Sequence, residues 1–179
     1  MIDQDAIDEE MNIAEERAVE RRKSLDQLLI EQPIRRLNPR QPAVTLAVGA
    51  GVDEAIAAMK ERRVGNVLIT ENDKLVGIIT ERDIVRKAAG SAVEASCLRV
   101  EDVMTPNPER LRLSDPIVFA LNKMGVGEFR HIPLVDEQGR PVGSLSVRHI
   151  VRFLVDFFGH RVFTLPPEPG QAPRSREGE

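Results

Sequence analysis

The feature that most constrains this chain is an internal repeat. The stretch GIITERDIVRKA, from Gly77 to Ala88, returns 66 residues later (143 minus 77) as GSLSVRHIVRFL. Upstream of it, an offset of 65 superposes three apolar positions, Ala55, Ile56 and Met59, on Ala120, Leu121 and Met124. Self-similarity at a fixed offset indicates a duplicated structural unit, so the fold has to accommodate two copies of one unit.

The same order of elements is predicted in both copies. In the first copy, VDEAIAAMKERR predicts a helix, NVLIT and LVGIIT predict buried strands around a polar turn, and ERDIVRKAAG predicts a helix that ends at Gly90. In the second copy, IVFALNKMGV, HIPLVD, PVGSLS and VRHIVRFLVDFFG occupy the corresponding places, and the last helix is predicted to end at Gly159.

The segments around the repeats have a different composition. Residues 5–32 predict an amphipathic helix with a thin apolar stripe, which needs a partner surface, either its own domain or a second chain. Prolines then break the helix, and the residues from 166 onward, rich in Pro, Gly and charge, predict disorder. The predicted divisions are an acidic leader helix at 1–32, repeats at 33–96 and 97–159, and an extended tail at 160–179.

Composition argues against several functional classes. The chain has no Trp or Tyr to stack on bases, and residues 3–16 carry seven acids and no base, so a nucleic-acid partner is not expected. No stretch approaches the ~18 apolar residues of a membrane span. The N-terminal residues are acidic and lack the basic region and apolar core of a signal peptide, so they are not expected to act as one. The only cysteine, Cys97, excludes an internal disulfide and favours the cytoplasm.

At the motif level, the chain resembles a pair of cystathionine-β-synthase (CBS) domains. The resemblance rests on LRVEDVMTPNPERLRLSDPIVFALNKM, FRHIPLVDEQGRPVGSLS and LVGIITERDIV, and it covers residues 33–159. The opening segment of the first copy, PIRRLNPRQPAVTL, lacks the Asp-Val-Met core present in the second. The resemblance implies an α/β (α+β) fold of tandem β-α-β-β-α repeats around a pseudo-twofold axis, a Bateman module, with an N-terminal helix in addition.

The resemblance also implies a function. Such pairs bind adenine nucleotides or related adenosyl ligands between their repeats and regulate an attached or separate partner without catalysis. The expected ligand is therefore AMP, ADP or ATP, with S-adenosylmethionine or NAD as alternatives, and no cofactor is required. A ligand-free structural or protein-interaction module with a degenerate nucleotide site is the rival hypothesis.

Two explanations apply to Thr80 and Asp83, which follow a predicted strand at the start of a helix. A threonine there caps the helix by accepting a backbone N–H, and an acid three residues later favours the positive helix end. The same position suits a ligand, because a helix N-terminus attracts phosphate. In the family that Thr80 and Asp83 match, the acid binds ribose and the hydroxyl lies near phosphate or sugar. Both explanations can hold together.

Further candidates are less direct. Arg130 and His131 match positions where the family often places phosphate-contacting bases, and Thr45 matches an early-strand position that commonly faces adenine. The second copy offers Ser146, Arg148 and His149 as weaker candidates. Because a neutral imidazole accepts through one nitrogen only, His149 cannot replace a carboxylate that holds two hydroxyls, so at most one family-type site is expected.

Other chemistry finds no support, and assembly is predicted from one helix. The histidines lack metal-ligand spacing, and no phosphate-binding Gly-x-x-x-x-Gly-Lys-Ser/Thr loop occurs, so no metal site and no catalytic residue are expected.

The closing helix at 147–158 is apolar around much of its circumference, with Phe153 and Phe157 forming a patch beside its main face. That excess predicts a homodimer through this helix, together with an effector protein whose identity is unknown.

Overall fold

The computed structural model describes residues 27, 29–88 and 97–163, and for residues 88 and 158–163 it describes the backbone only. Most of the predicted leader helix lies outside the described residues. The same holds for the predicted helix end at Gly90 and for residues 164–179 of the tail.

The first copy contains the predicted elements. They are strand β1 (Thr45–Ala47), helix α1 (Val52–Arg62), and strands β2 (Asn66–Glu71) and β3 (Lys74–Thr80). Between β2 and β3, Asn72 and Asp73 have φ angles of 49° and 62°. A two-residue hairpin turn of this kind needs positive φ, which Asn and Asp tolerate better than most residues, and this is why the polar turn separates two apolar strands.

The remaining elements keep the predicted order, with two short unpredicted ones, the helix Val100–Val103 and the strand Thr105–Pro106, added before the second copy's first helix. They are α2 (Glu81–Asp83), which continues as a π-helical turn (Ile84–Ala88), α3 (Val100–Val103), β4 (Thr105–Pro106), α4 (Ile117–Gly127), β5 (His131–Val135), β6 (Pro141–Ser146) and α5 (Val147–Phe163). Helix α5 passes through Gly159 and ends four residues later, so the predicted stop at Gly159 and the extended tail from residue 160 are corrected. A glycine inside a helix costs only about 1 kcal/mol relative to alanine, a penalty that a longer helix can absorb.

Sheet pairing shows the duplication directly. Strand β1 is parallel to β2, with Thr45 opposite Leu68, and β2 is antiparallel to β3. In the second copy, β5 is antiparallel to β6, and Leu111 forms a parallel bridge to Leu134. Both members of that bridge lie 66 residues after Thr45 and Leu68 (111 minus 45, 134 minus 68), so the two sheets are equivalent.

The opening segment of each copy joins the other copy. We call residues 33–40 arm 1 and residues 99–106 arm 2. Arg40 of arm 1 exchanges two backbone hydrogen bonds with Ser144 of β6, at 3.2 and 3.1 Å. In arm 2, Thr105 pairs with Ile78 of β3. The offsets of 65 (105 minus 40) and 66 (144 minus 78) match the repeat, so the arms are exchanged around the pseudo-twofold axis.

The hydrophobic cores follow the same exchange. Ile34 and Leu37 of arm 1 are buried in the core of the second copy, and Val100 and Val103 of arm 2 are buried in the core of the first. Burying one such side chain stabilises a fold by about 1.5–3 kcal/mol. The packing units therefore differ from the sequence repeats, because each unit contains an arm of the other.

Two glycines of the repeat allow the arms to approach. A Cβ atom on Gly77 of β3 would lie 2.2 Å from the Met104 sulfur, and a Cβ on Gly143 of β6 would lie 2.6 Å from the Arg40 carbonyl oxygen. Neither distance is possible for real atoms. The Val-Gly pair that recurs in both copies thus reflects close packing of an arm across each second strand.

Helix α5 is only partly covered. Ile150, Phe153 and Leu154 pack on the core of the second copy, whereas Val151 and Phe157 are 52% and 43% exposed. The predicted apolar patch of Phe153 with Phe157 is therefore divided, since Phe153 belongs to the core. None of the helices in the described ranges is long and apolar enough to cross a membrane.

Candidate functional site

A reciprocal cap joins Thr80 and Asp83 where β3 ends and α2 begins. The backbone N–H of Thr80 donates to Oδ2 of Asp83 at 2.9 Å, and the Thr80 hydroxyl donates to the same oxygen at 2.6 Å. In return the backbone N–H of Asp83 donates to the Thr80 hydroxyl at 3.3 Å. Within the described part of the chain, Oδ1 of Asp83 accepts no hydrogen bond, so half of the carboxylate remains available to a ligand.

This carboxylate lies at a cavity of about 390 Å³, which we call the first cleft. Its walls come from both copies, because arm 2 closes the side that the first copy leaves open. The lining includes Thr80, Asp83 and Arg86 from the first copy and Phe129, Arg130 and His131 from the second copy. Thr105 of arm 2 and Asn107, which follows arm 2, complete it. A molecule bound here would touch both repeats at once.

Basic side chains around the first cleft differ in how they are paired. Arg82 donates to the carbonyl oxygen of Glu128 at 3.3 Å. The guanidinium groups of Arg86 and Arg130 form no hydrogen bond or ion pair with a described residue, whereas the nearby Glu109 is paired with Lys123. The first cleft therefore combines a carboxylate oxygen and two unpaired guanidinium groups, which suit hydroxyl groups and phosphate respectively.

Four of the sequence-predicted residues meet in the first cleft, namely Thr80, Asp83, Arg130 and His131. Thr45 does not. It is exposed and lines a different cavity together with Arg40 and His149. Thr105 of arm 2 lines the first cleft, and the sequence-based prediction missed it. No local pattern pointed to Thr105, because its position depends on the exchange of arms.

Ser146, Arg148 and His149 line a second cavity of about 450 Å³, the second cleft. Here His149 takes the place of Asp83 in the cap. Its Nδ1 accepts the backbone N–H of Ser146 at 2.9 Å and lies 3.0 Å from the Ser146 hydroxyl. The accepting nitrogen carries no proton, which assigns the ring proton to Nε2. His149 is thus a helix-capping residue, a role that its spacing from Ser146 indicated but that the sequence-based prediction did not assign.

Both histidines near the clefts are disfavoured as cations. Burial is the largest cause lowering the pKa of His149, and the charges of Arg152, Arg148 and Arg40 lower it further. Burial likewise lowers the pKa of His131, with Arg130 as the next cause, while Glu81 opposes the shift. The neutral form of His149 is also the one its cap requires, because a protonated ring has no lone pair at Nδ1.

The two clefts share one wall, formed by Gly65, Glu81, Arg130 and His131. The wall lies at the pseudo-twofold axis, where Gly65 and Asn66 of the first copy face Arg130 and His131 of the second (131 minus 66 is 65). A Cβ on Gly65 would lie 3.3 Å from Nε2 of His131 and 3.5 Å from Oε2 of Glu81. The absence of a side chain at residue 65 therefore lets His131 and Glu81 lie close to the backbone at this wall.

Fold and clefts together define a protein of paired repeats with exchanged arms and ligand-sized clefts between them. A family model for the CBS domain matches residues 34–90 and 100–156, and the chain belongs to the CBS-domain family, with two domains in tandem. Among the described residues, no group of three or more His, Cys, Asp or Glu side chains could hold a metal ion.

Relatives and solved structures agree with that family. A CBS domain-containing protein of Arabidopsis thaliana, CBSCBSPB3, is 35% identical over 99 residues, which cover 55% of this chain and 18% of the relative. The chain thus spans about a fifth of that relative. A 17.7 kDa protein of Acidianus ambivalens is 35% identical over 117 residues, 65% of this chain and 66% of the relative. A CBS domain protein from Pyrobaculum aerophilum, solved in complex with AMP, has a TM-score of 0.62 and 25% identity over 72% of this chain and 99% of that chain.

Proposed function

We propose that this CBS pair is a regulatory protein that binds an adenine nucleotide or adenosyl ligand in the first cleft. The observation that carries the proposal is the free Oδ1 of Asp83 in one cavity with the unpaired Arg86 and Arg130. The AMP complex of the Pyrobaculum aerophilum protein supports the ligand class. AMP, ADP and ATP are the leading ligands, with S-adenosylmethionine and NAD as alternatives.

Each part of a nucleotide has a counterpart in the first cleft. Oδ1 of Asp83 accepts from the ribose hydroxyls, while Oδ2 keeps its bonds to Thr80 and holds the carboxylate in place. Arg86 and Arg130 neutralise phosphate. The apolar surfaces of Ile78 and Phe129 lie in the same cavity and suit the base.

Binding would couple the two domains, because the first cleft is lined by the first copy, arm 2 and the second copy. A ligand shifts a conformational equilibrium only by its difference in affinity for the two states, and a ligand that bridges both copies has the means to do so. The output acts on a separate effector protein, the chain itself being no enzyme. The protein acts in the cytoplasm, as the lone Cys97 favours, and pairs as a homodimer through helices that include residues 147–158.

Thermal unfolding tests the proposal. We expect one of AMP, ADP, ATP, NAD or S-adenosylmethionine to raise the melting temperature, because a ligand at 100 times its dissociation constant stabilises the folded state by about 2.7 kcal/mol. GTP at the same concentration is the matched control for phosphate binding without adenine. If no adenine compound shifts the midpoint at millimolar concentration, the proposed function is wrong.

A second candidate is a ligand-free interaction module. The observation in its favour is His149, which occupies the place of the ribose-binding acid in the second cleft and spends its only acceptor on the cap. If the first cleft were equally inactive, Asp83 would serve only its helix. A complete lack of nucleotide binding together with a stable dimer would favour this alternative.

A further inference from the structure

Fixed charge is distributed unequally between the two clefts. The first cleft is lined by three basic residues, Arg82, Arg86 and Arg130, and by three acids, Glu81, Asp83 and Glu109, so that 3 minus 3 leaves zero. The second cleft is lined by five basic residues, Arg40, Lys60, Arg63, Arg130 and Arg148, and by Glu81 alone, so that 5 minus 1 leaves +4. His131 and His149 add nothing while neutral. The chain therefore holds a strongly positive cavity beside a neutral one.

Most of this positive charge has no partner among the described residues. The side chains of Lys60, Arg63 and Arg148 form no hydrogen bond or ion pair with those residues, and the Arg40 guanidinium donates only to the carbonyl oxygen of Arg62, at 2.6 Å. Like charges gathered around one cavity repel each other. The five side chains are exposed, so solvent screens this repulsion, and they remain available to pair with a bound anion.

Two side chains in the same region respond to this field. The charges of Arg148, Arg152 and Arg40 lower the pKa of His149 after burial has done so, and Arg130 and Arg148 act in the same direction on His131. The positive potential is therefore felt inside the second cleft and at the wall that it shares with the first.

The second cleft is poorly suited to a nucleoside of its own. Nδ1 of His149 is occupied by the Ser146 N–H, and Nε2 carries the ring proton and can only donate. Glu81, the one carboxylate present, belongs to the shared wall rather than to the position beside Ser146. What the second cleft offers is donors and cations, which bind phosphate and not the hydroxyls of a ribose.

We propose that the second cleft receives the polyphosphate chain of a nucleotide whose ribose is held by Asp83, so that the protein selects a nucleoside triphosphate over a monophosphate. This inference rests on the proposed function and adds the ligand class. Gly65, Arg130 and His131 line both clefts, so a phosphate chain that leaves the first cleft at this wall meets the second. A nucleoside monophosphate occupies only the first cleft. The second and third phosphates of a triphosphate extend into the second cleft, whose lining carries net positive charge.

Titration calorimetry with ATP and AMP tests the inference on the full chain. We expect the wild type to bind ATP at least about tenfold more tightly than AMP. Lys60→Gln/Arg63→Gln removes two unpaired cations from the second cleft, and we expect it to reduce that preference to less than about threefold while AMP affinity stays unchanged. Inorganic tripolyphosphate should compete with ATP but not with AMP.

The matched control is Lys74→Gln/Arg110→Gln. This pair removes the same two residue types from a cavity at the hairpin turns, away from both clefts, and should leave the preference for ATP intact. Equal affinity of the wild type for ATP and AMP would overturn the inference and leave the proposed function standing. A control variant that loses the preference as fully as the test variant would also overturn it, because general charge would then be the cause. Lack of binding by both nucleotides would overturn the proposed function itself.

A second variant removes a negative charge from the second cleft instead of a positive one, so it should change ATP binding in the opposite direction. Glu81 is the only acid that lines the second cleft, and it opposes a polyphosphate chain at the shared wall. Glu81→Gln should therefore strengthen ATP binding by a larger factor than AMP binding. An equal gain for both nucleotides, or a loss confined to ATP, would contradict the proposed path of the phosphates.

Discussion

The two clefts have the same backbone and different chemistry. In the first, Asp83 caps its helix with Oδ2, and Oδ1 accepts no hydrogen bond from the described residues. In the second, His149 makes the corresponding bond to Ser146 with its only acceptor nitrogen. A cap needs one acceptor atom, whereas the proposed ribose site needs a second. The comparison teaches that capping alone does not require a carboxylate, so that a binding role, if the proposal holds, belongs to Asp83 and not to His149.

The largest expected effect tests whether the cores of the two copies contribute equally to stability. Ile79 and Leu145 are fully buried and equivalent by the repeat offset (145 minus 79 is 66). We expect Ile79→Ala and Leu145→Ala each to lower the free energy of unfolding by about 3 kcal/mol, within the 2–5 kcal/mol typical of such core truncations. Urea denaturation measures both. Losses that differ by more than about 2 kcal/mol would show that the copies are unequal in stability as well as in chemistry.

The next effect separates the two caps by ligand binding. Asp83→Ala should weaken nucleotide binding more than about tenfold, or ~1.4 kcal/mol, because the ribose hydroxyls lose their acceptor. His149→Ala should change it little. Calorimetry below the melting temperature of each variant measures both, and Asp83→Asn, which keeps an oxygen for the cap, serves as the control for helix stability. Equal losses in Asp83→Ala and His149→Ala would mean that the binding-competent cleft has been wrongly assigned.

A smaller effect is expected in stability alone. The Thr80 hydroxyl accepts the backbone N–H of Asp83 and donates to its carboxylate. Thr80→Ala should therefore destabilise the fold by about 1 kcal/mol, as the loss of a helix cap usually does. The Ser146 hydroxyl contacts only the His149 ring among the described residues, so Ser146→Ala should cost less. Thermal unfolding without ligand compares the two, and a greater cost at Ser146 would contradict the geometry.

The smallest effect is a pH dependence confined to the second cap. Burial, and then the charges of Arg152 and Arg148, lower the pKa of His149 below its ordinary 6.5, so the unfolded chain binds more protons than the folded one in that range. Stability then rises with pH. The contribution of His149 is complete above 6.5 and is lost as the pH falls from 6.5 through the folded pKa.

Unfolding at about pH 7.5 and about pH 5.5 measures this dependence. His149→Gln should flatten it in part, and His131→Gln is the necessary control, because burial lowers the pKa of His131 as well. If His149→Gln leaves the difference between the two pH values unchanged, the imidazole does not act as a neutral cap.

Local signals predicted most of the fold. The polar pair Asn72-Asp73 between two apolar runs predicted the first hairpin. The change from a strand pattern to a helix pattern predicted the Thr80–Asp83 cap. Both features depend only on residues that are neighbours in the chain. The end of the last helix was misjudged at Gly159, since a single glycine carries a penalty that a helix can absorb.

The site was harder to predict, because it depends on contacts far apart in the sequence. Asp83 and Arg130 were identified from motif position, and the structure places them in one cavity. Thr105 was missed because its place beside Asp83 results from the exchange of arms, which no local pattern reveals. Thr45 lines a separate cavity that is neither of the two clefts. Whether these residues bind a ligand stays a prediction.

The exchanged arms bear on how such a chain could have arisen. A single copy on its own would bury neither Ile34 nor Val100 in the core that each now completes. Two identical copies could satisfy each other by the same exchange around a true twofold axis. In such a pair, a change in one cleft is a change in both. Within one chain the two positions can differ, and this chain has His149 in one cleft and Asp83 in the other.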